Sequence, residues 1–128
     1  SEEGQVWEAA MFAAHYKLDN LVCVIDWNGL QIDGAITEVM NPTPHDKKFE
    51  AFGWHVISID GHNFEEIAAA FAEARTVKGK PTAIIARTVK GKGVSYMENA
   101  CEWHGQAPKE DLYRVAISDL TAIEESLR

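Results

Sequence analysis

Three polar segments of the chain combine residue types and spacings that could do chemistry. The first is Asp26-Trp-Asn-Gly-Leu-Gln-Ile-Asp-Gly34. Magnesium takes oxygen ligands in near-octahedral geometry and is often held by a few protein oxygens together with phosphate. Asn28 offers a side-chain carbonyl, and Gly29 allows a turn sharp enough for the main-chain carbonyl of Leu30 to face the same ion. The same Asn-Gly pair also reads as a plain turn. The second segment is Arg87-Thr-Val-Lys-Gly-Lys-Gly93, where Lys90 and Lys92 among glycines could neutralise a diphosphate or simply form a solvated loop. The third is Glu102-Trp-His-Gly-Gln-Ala-Pro108. Its His104 could donate to phosphate or move a proton near neutral pH, or be a surface histidine beside a half-buried Trp. Among the other histidines, His62 lies in a loop a ligand could reach, whereas His15, His45 and His55 have weaker claims. Glu2 and Glu3 precede a helix, where carboxylates are favoured for structural reasons alone.

The elements that must position these residues follow from periodicity. Val6, Ala9, Ala10, Ala13 and Ala14 recur at helical spacing, and Asp19-Asn20 stops that helix. Leu21-Val-Cys-Val-Ile25 is a short, β-branched apolar run, the pattern of a strand buried on both faces. The stretch 26–34 reads as a loop. His45 to Phe52 predicts a short helix ending at Gly53, and Trp54 to Ile59 a second strand. Asn63 with Glu66 three residues on predicts a capped third helix. Thr82 to Ala86 is a third strand, 91–108 an irregular stretch, and 109–127 a terminal helix broken near Ser118. Alternating helix and strand predict an α/β fold: three layers, with a mostly parallel sheet flanked by helices. Ligands in such sheets bind beyond the carboxyl ends of the strands. That rule selects the loops after Ile25, Ile59 and Ala86.

Composition bounds the function. The 128 residues suffice for a single domain spanning 1–128, and 46% hydrophobic with 25% charged residues is a globular profile. A net charge of −8 argues against nucleic acid as a partner. No apolar run approaches the roughly 20 residues of a membrane span. Cys23 and Cys101 make no metal-type or disulfide spacing, so a cytoplasmic location is the expectation.

Together the segments resemble transketolase. The resemblance rests on Glu3-Gly-Gln-Val-Trp-Glu-Ala-Ala, Tyr16-Lys-Leu-Asp-Asn-Leu, Asn28-Gly-Leu-Gln-Ile-Asp-Gly34, Ala51-Phe-Gly-Trp-His, Ile59-Asp-Gly-His62, Gly79-Lys-Pro-Thr, Lys90-Gly-Lys-Gly93 and Trp103-His-Gly105. They occur in order from residue 3 to about residue 108. The chain is most similar to the second half of the family's thiamine diphosphate-binding domain, as in its separately encoded N-terminal subunits. The resemblance implies thiamine diphosphate and magnesium as cofactors, with Asn28 and the Leu30 carbonyl as metal ligands. It further implies Ile32 against the thiazolium ring, Lys90 at the cofactor, and His104 near both diphosphate and substrate in a catalytic role. Glu3 is similar to a glutamate at the family's dimer interface.

The implied reaction is transfer of a two-carbon ketol unit between sugar phosphates. The family's Gly-Asp-Gly motif, whose Asp also ligates magnesium, does not occur in these 128 residues, and neither does its pyrimidine-binding domain. The expectation is a chain inactive alone, partnered by a pyrimidine-domain subunit or self-associated through an unpaired sheet edge. Two other readings are a non-catalytic α/β binding or assembly module and a different thiamine diphosphate enzyme, such as deoxyxylulose phosphate synthase. The Lys90 loop and Trp103-His-Gly105 favour transketolase.

Overall fold

The computed structural model describes all residues 1–128, which divide into two compact units: Ser1–Trp27 with Met40–Thr88, and Asn28–Val39 with Val89–Arg128.

The first unit is built on three parallel strands, β1 (Val22–Trp27), β4 (His55–Asp60) and β5 (Thr82–Arg87), in the order β1-β5-β4. The central β5 is buried from Thr82 to Ala86, as its unbroken apolar run requires. Side chains alternate across the sheet and create two cores. On one face Ala83, with Cys23, Ile25 and Val56, packs against α1 (Gly4–His15) and α3 (His45–Ala51) through Ala10, Ala13 and Phe49. On the other, Ile84 and Ala86, with Val22 and Ile57, pack against Ala70 and Ile67 of α4 (Phe64–Thr76). Helices therefore cover both faces, the expected three-layer α/β arrangement. Small alanines let α1 approach closely enough for the Trp54 indole to donate to the Ala10 carbonyl at 2.9 Å inside the core. β1 is an edge strand, and its Val24 is 51% exposed.

Helix ends follow local chemistry. α3 stops at Gly53 (φ 88°), where Gly53 N–H donates to Glu50 C=O and Trp54 N–H to Phe49 C=O, a Schellman pattern. α1 ends with the same two bonds, from Lys17 to Ala14 and from Leu18 to Ala13, with Lys17 in the left-handed conformation at φ 53°. The stop thus comes before Asp19-Asn20. Asn63 caps α4 by accepting from the Glu65 and Glu66 N–H groups. Glu66 reaches back to the Asn63 side-chain amide and the Asp60 N–H, which take the place of the cap residue's own N–H in the usual box.

The second unit holds a small antiparallel pair, β2 (Leu30–Gln31) and β3 (Gly34–Ala35), then α2 (Ile36–Val39). Residues 26–34, expected as one loop, are therefore the end of β1 plus a tight hairpin around Ile32-Asp33. The unit continues with loop 89–100, a 3₁₀ turn at Cys101–Trp103, and α5 (Glu110–Ser126). α5 is unbroken at Ser118, because an exposed Ser is tolerated inside a helix whose inward stripe of Leu112, Ala116 and Asp119 is continuous. Loop 89–100 is fastened to α5 by Asp119, whose carboxylate accepts from both the N–H (2.8 Å) and the hydroxyl (2.7 Å) of Ser95. These bonds hold the Asp119 carboxyl below its ordinary range. Tyr96 reinforces the attachment, donating to the Leu112 carbonyl and packing edge-on against Trp103.

Candidate cofactor-binding site

Five of the six sequence-derived site residues fall in the second unit: Asn28, Leu30, Ile32, Lys90 and His104. The hairpin explains how two of them converge. Gly29 sits at φ 76°, turning the chain sharply after β1. The Ile36 N–H donates to the Gly29 carbonyl, and antiparallel pairs alternate between bonded and unbonded. Leu30, opposite Ala35, is then in an unbonded pair. Its N–H and C=O both point away from β3. The Asn28 side-chain oxygen lies on that same outer side, where it accepts from the Leu30 N–H at 2.9 Å. An amide oxygen and a main-chain carbonyl thus share one side of a two-residue step. Ile32, at the hairpin tip, is 66% exposed, a large apolar side chain presented to solvent.

Lys90 and His104 are fourteen residues apart, yet the Lys90 ammonium lies 3.2 Å from His104 Nδ1. An ammonium only donates, so Nδ1 supplies the lone pair and the ring proton sits on Nε2. The pair leaves the remaining ammonium protons and the Nε2–H as donors, the complement of an anionic oxygen. Gly91 makes this loop possible. Its φ is 73°, and a Cβ there would lie 2.4 Å from the Met97 carbonyl oxygen. Lys92, the other basic candidate, is paired with Glu98 at 3.3 Å.

The remaining candidates lie in the first unit. Glu3 is exposed at the N-cap of α1 and makes no side-chain cap bond. Asp26, at the end of β1, accepts from the Thr88 hydroxyl. His55 is bonded to Glu73 at 2.6 Å, and His62 is exposed, its N–H donating to Asp60. His45 is the residue that the sequence undervalues: it is only 4% exposed. Its position four residues before the core Phe49, on the same face of α3, is the available signal.

The fold is that of an α/β domain of the kind that binds ligands beyond the carboxyl ends of parallel strands. The sequence matches the transketolase thiamine diphosphate-binding domain over residues 1–120. A 6-deoxy-6-sulfo-D-fructose transketolase subunit of Clostridium sp. (strain MSTE9) is 45% identical over 120 residues, covering 94% of this chain and 44% of that protein. An apulose-4-phosphate transketolase subunit of Phocaeicola vulgatus is 42% identical over 125 residues, covering 98% of this chain and 44% of that one. The crystal structure of transketolase from Campylobacter jejuni superposes with a TM-score of 0.85 at 34% identity, over 91% of this chain and 18% of that one. The chain belongs to the transketolase family, within its thiamine diphosphate-binding domain. It spans less than half the length of the two subunit relatives.

The residues present suit that cofactor. Ile32 offers apolar surface for a ring, and Lys90 with His104 offers donors for a diphosphate. For magnesium the fit is partial. Asn28 and Leu30 supply two neutral oxygens of the hard kind the ion prefers, and no group of three or more His, Cys, Asp or Glu side chains is placed to hold a metal. No helix is long and apolar enough to cross a membrane.

Proposed function

We propose that this chain supplies part of a transketolase active site, moving a two-carbon ketol unit between sugar phosphates together with a chain that carries a pyrimidine-binding domain. The observation that carries the reading is the meeting of Lys90 and His104 on a glycine-shaped loop. Thiamine diphosphate, when bound, supplies the carbanion chemistry of the transfer.

In this reading Lys90 would donate to the diphosphate, with His104 beside it through their shared contact, and Ile32 would offer its apolar surface to the thiazolium ring. The Asn28 carboxamide and the Leu30 carbonyl would offer magnesium two neutral oxygen ligands. The His104 Nε2–H is the group placed to hold a substrate oxygen or pass it a proton. Glu3 stands at the protein–protein interface, and that interface is either with a pyrimidine-domain subunit or with a second copy of this chain.

The test is calorimetric titration of thiamine diphosphate and magnesium into this chain mixed with a pyrimidine-domain partner. Replacing Lys90 or Asn28 by Ala should weaken cofactor binding by about tenfold or more, since a hydrogen bond to a charged group is worth about 1.5–3 kcal/mol. Unchanged affinity in both variants would overturn the assignment.

A further inference from the structure

The first unit contains a second polar site, unrelated to the cofactor residues. Strand register builds it. Ile25, Ile85 and Ser58 are neighbours across the sheet, and one pleat further on Trp27 pairs with Arg87. All five side chains fall on the face that α1 and α3 cover, at the carboxyl ends of the strands. Between them and the start of α3 lies a cavity of about 250 Å³, lined by Trp27, His45, Asp46, Ser58, Ile85 and Arg87 among others.

Its polar groups are unspent. Arg87 lies over the Trp27 ring, 5.2 Å from its centroid, and forms no ion pair. A guanidinium over an aromatic face, with no carboxylate partner, has N–H groups left for an oxyanion. His45 is buried. Its Nε2 is 3.0 Å from the Ser1 hydroxyl, while its Nδ1 is buried without any hydrogen-bond partner. A buried polar atom without a partner is destabilising unless something fills its place. Whether Nδ1 holds the ring proton or the lone pair depends on Ser1, and a hydroxyl group can answer either. The Asp46 carboxylate has no hydrogen bond and calls for a donor. The adjoining groove shares Ser58 and Arg87 and adds Asp60 and Glu66. Those two carboxylates are already engaged, Asp60 with the His62 N–H and Glu66 with Asp60 and Asn63.

We propose that this cavity binds a small oxyanion bearing hydroxyl groups, with the anionic head on Arg87 and the hydroxyls on His45 Nδ1, Asp46 and Ser58. The ligand chemistry is that of a short polyol phosphate or hydroxy acid. Its size is set by a cavity at the small end of ligand pockets. The inference does not depend on thiamine diphosphate binding.

The test uses the full chain, with nitrogen-detected NMR of the His45 ring and the Trp27 indole. Three probes separate the contributions: glycerol 3-phosphate, inorganic phosphate and glycerol. Glycerol 3-phosphate should give saturable shifts at both residues and bind about tenfold or more tightly than phosphate or glycerol. Arg87→Gln, at an exposed position with a fold checked by its amide spectrum, should abolish saturation by the two anions. Asp46→Asn should weaken glycerol 3-phosphate but not inorganic phosphate. The proposal is overturned if His45 does not respond to glycerol 3-phosphate, if the response survives Arg87→Gln, or if Asp46→Asn tightens both anions equally.

Discussion

The two units solve different problems. The first holds both apolar cores, so its positions are fixed by many non-directional contacts spread over α1, α3, α4 and the sheet. The second buries few large apolar side chains, Ile36 and Val94 among them, and is fixed instead by directional bonds: Asn28 to Leu30, Ser95 to Asp119, Gly93 to Glu98. A core tolerates small displacements as long as volume is filled. A hydrogen-bonded loop does not, because its geometry and its stability are the same few bonds. The difference shows why the cofactor candidates cluster in the second unit. Oxygens and N–H groups have to be presented at set positions, and a hairpin and a glycine-shaped loop present main-chain groups that a helix or a sheet interior would consume.

Three perturbations would break or sharpen that contrast. The largest effect is expected from Phe49→Ala. Phe49 is buried between Trp7 and Trp54 and joins α3 to α1, so its loss should cost about 3–5 kcal/mol in urea unfolding. Gly91→Ala should cost less overall yet do more damage to the candidate site. A methyl group would meet the Met97 carbonyl in a backbone conformation that L-residues resist, a local loss of about 1 kcal/mol or more. Hydrogen exchange should show the loosening in residues 89–104 and leave β5 protected. If β5 lost protection to the same extent, the two units would be one cooperative structure and the contrast would fail.

The smallest effects are those of pH, and they separate by unit. Burial holds the His45 imidazole below its ordinary value of 6.5, with Lys48 adding to the shift. The unfolded chain therefore takes up that proton first. The stability of the neutral form is complete above 6.5 and declines as pH falls through that value. Asp119 is also depressed, from an ordinary 3.8, by its two bonds from Ser95. Its contribution is complete above 3.8 and is lost as pH falls further. Protection against amide exchange should thus weaken first around α3, below pH 6.5, and at Ser95 only in more acid solution. Simultaneous loss at both places would contradict the separate causes.

The same contrast governs what the sequence discloses. β1, β4 and β5 are legible as short apolar runs, but the expected burial on both faces holds only for the central β5; β1 and β4 are edge strands, and Val24 of β1 is half exposed. Gly53 and the Asn63–Glu66 pair mark helix ends for reasons that are local and chemical. The hairpin at 30–35 is not legible, because its strands have two residues each and show no alternation to count. Lys17 conceals a left-handed turn that a glycine would have announced. Candidate site residues can be named from their types and their resemblance to a family. Their approach cannot, since Lys90 meets His104, and Ser95 meets Asp119, across separations that no sequence period connects. His45 escapes notice because a histidine after Thr-Pro looks like a surface residue until Phe49 is seen on the same helical face.

The central claim is that this chain contributes its Lys90–His104 and Asn28–Leu30 groups to a transketolase site completed by another chain. It is tested most directly by measuring ketol transfer from a ketose phosphate to an aldose phosphate, with thiamine diphosphate and magnesium present. The chain is assayed alone, with a pyrimidine-domain partner, and with that partner once His104→Ala has been introduced. Transfer is expected only in the mixture, falling by about a hundredfold or more in the variant if His104 moves a proton. Equal transfer by the His104 variant, or no transfer in a mixture that forms a stable complex and binds the cofactor, would contradict the account.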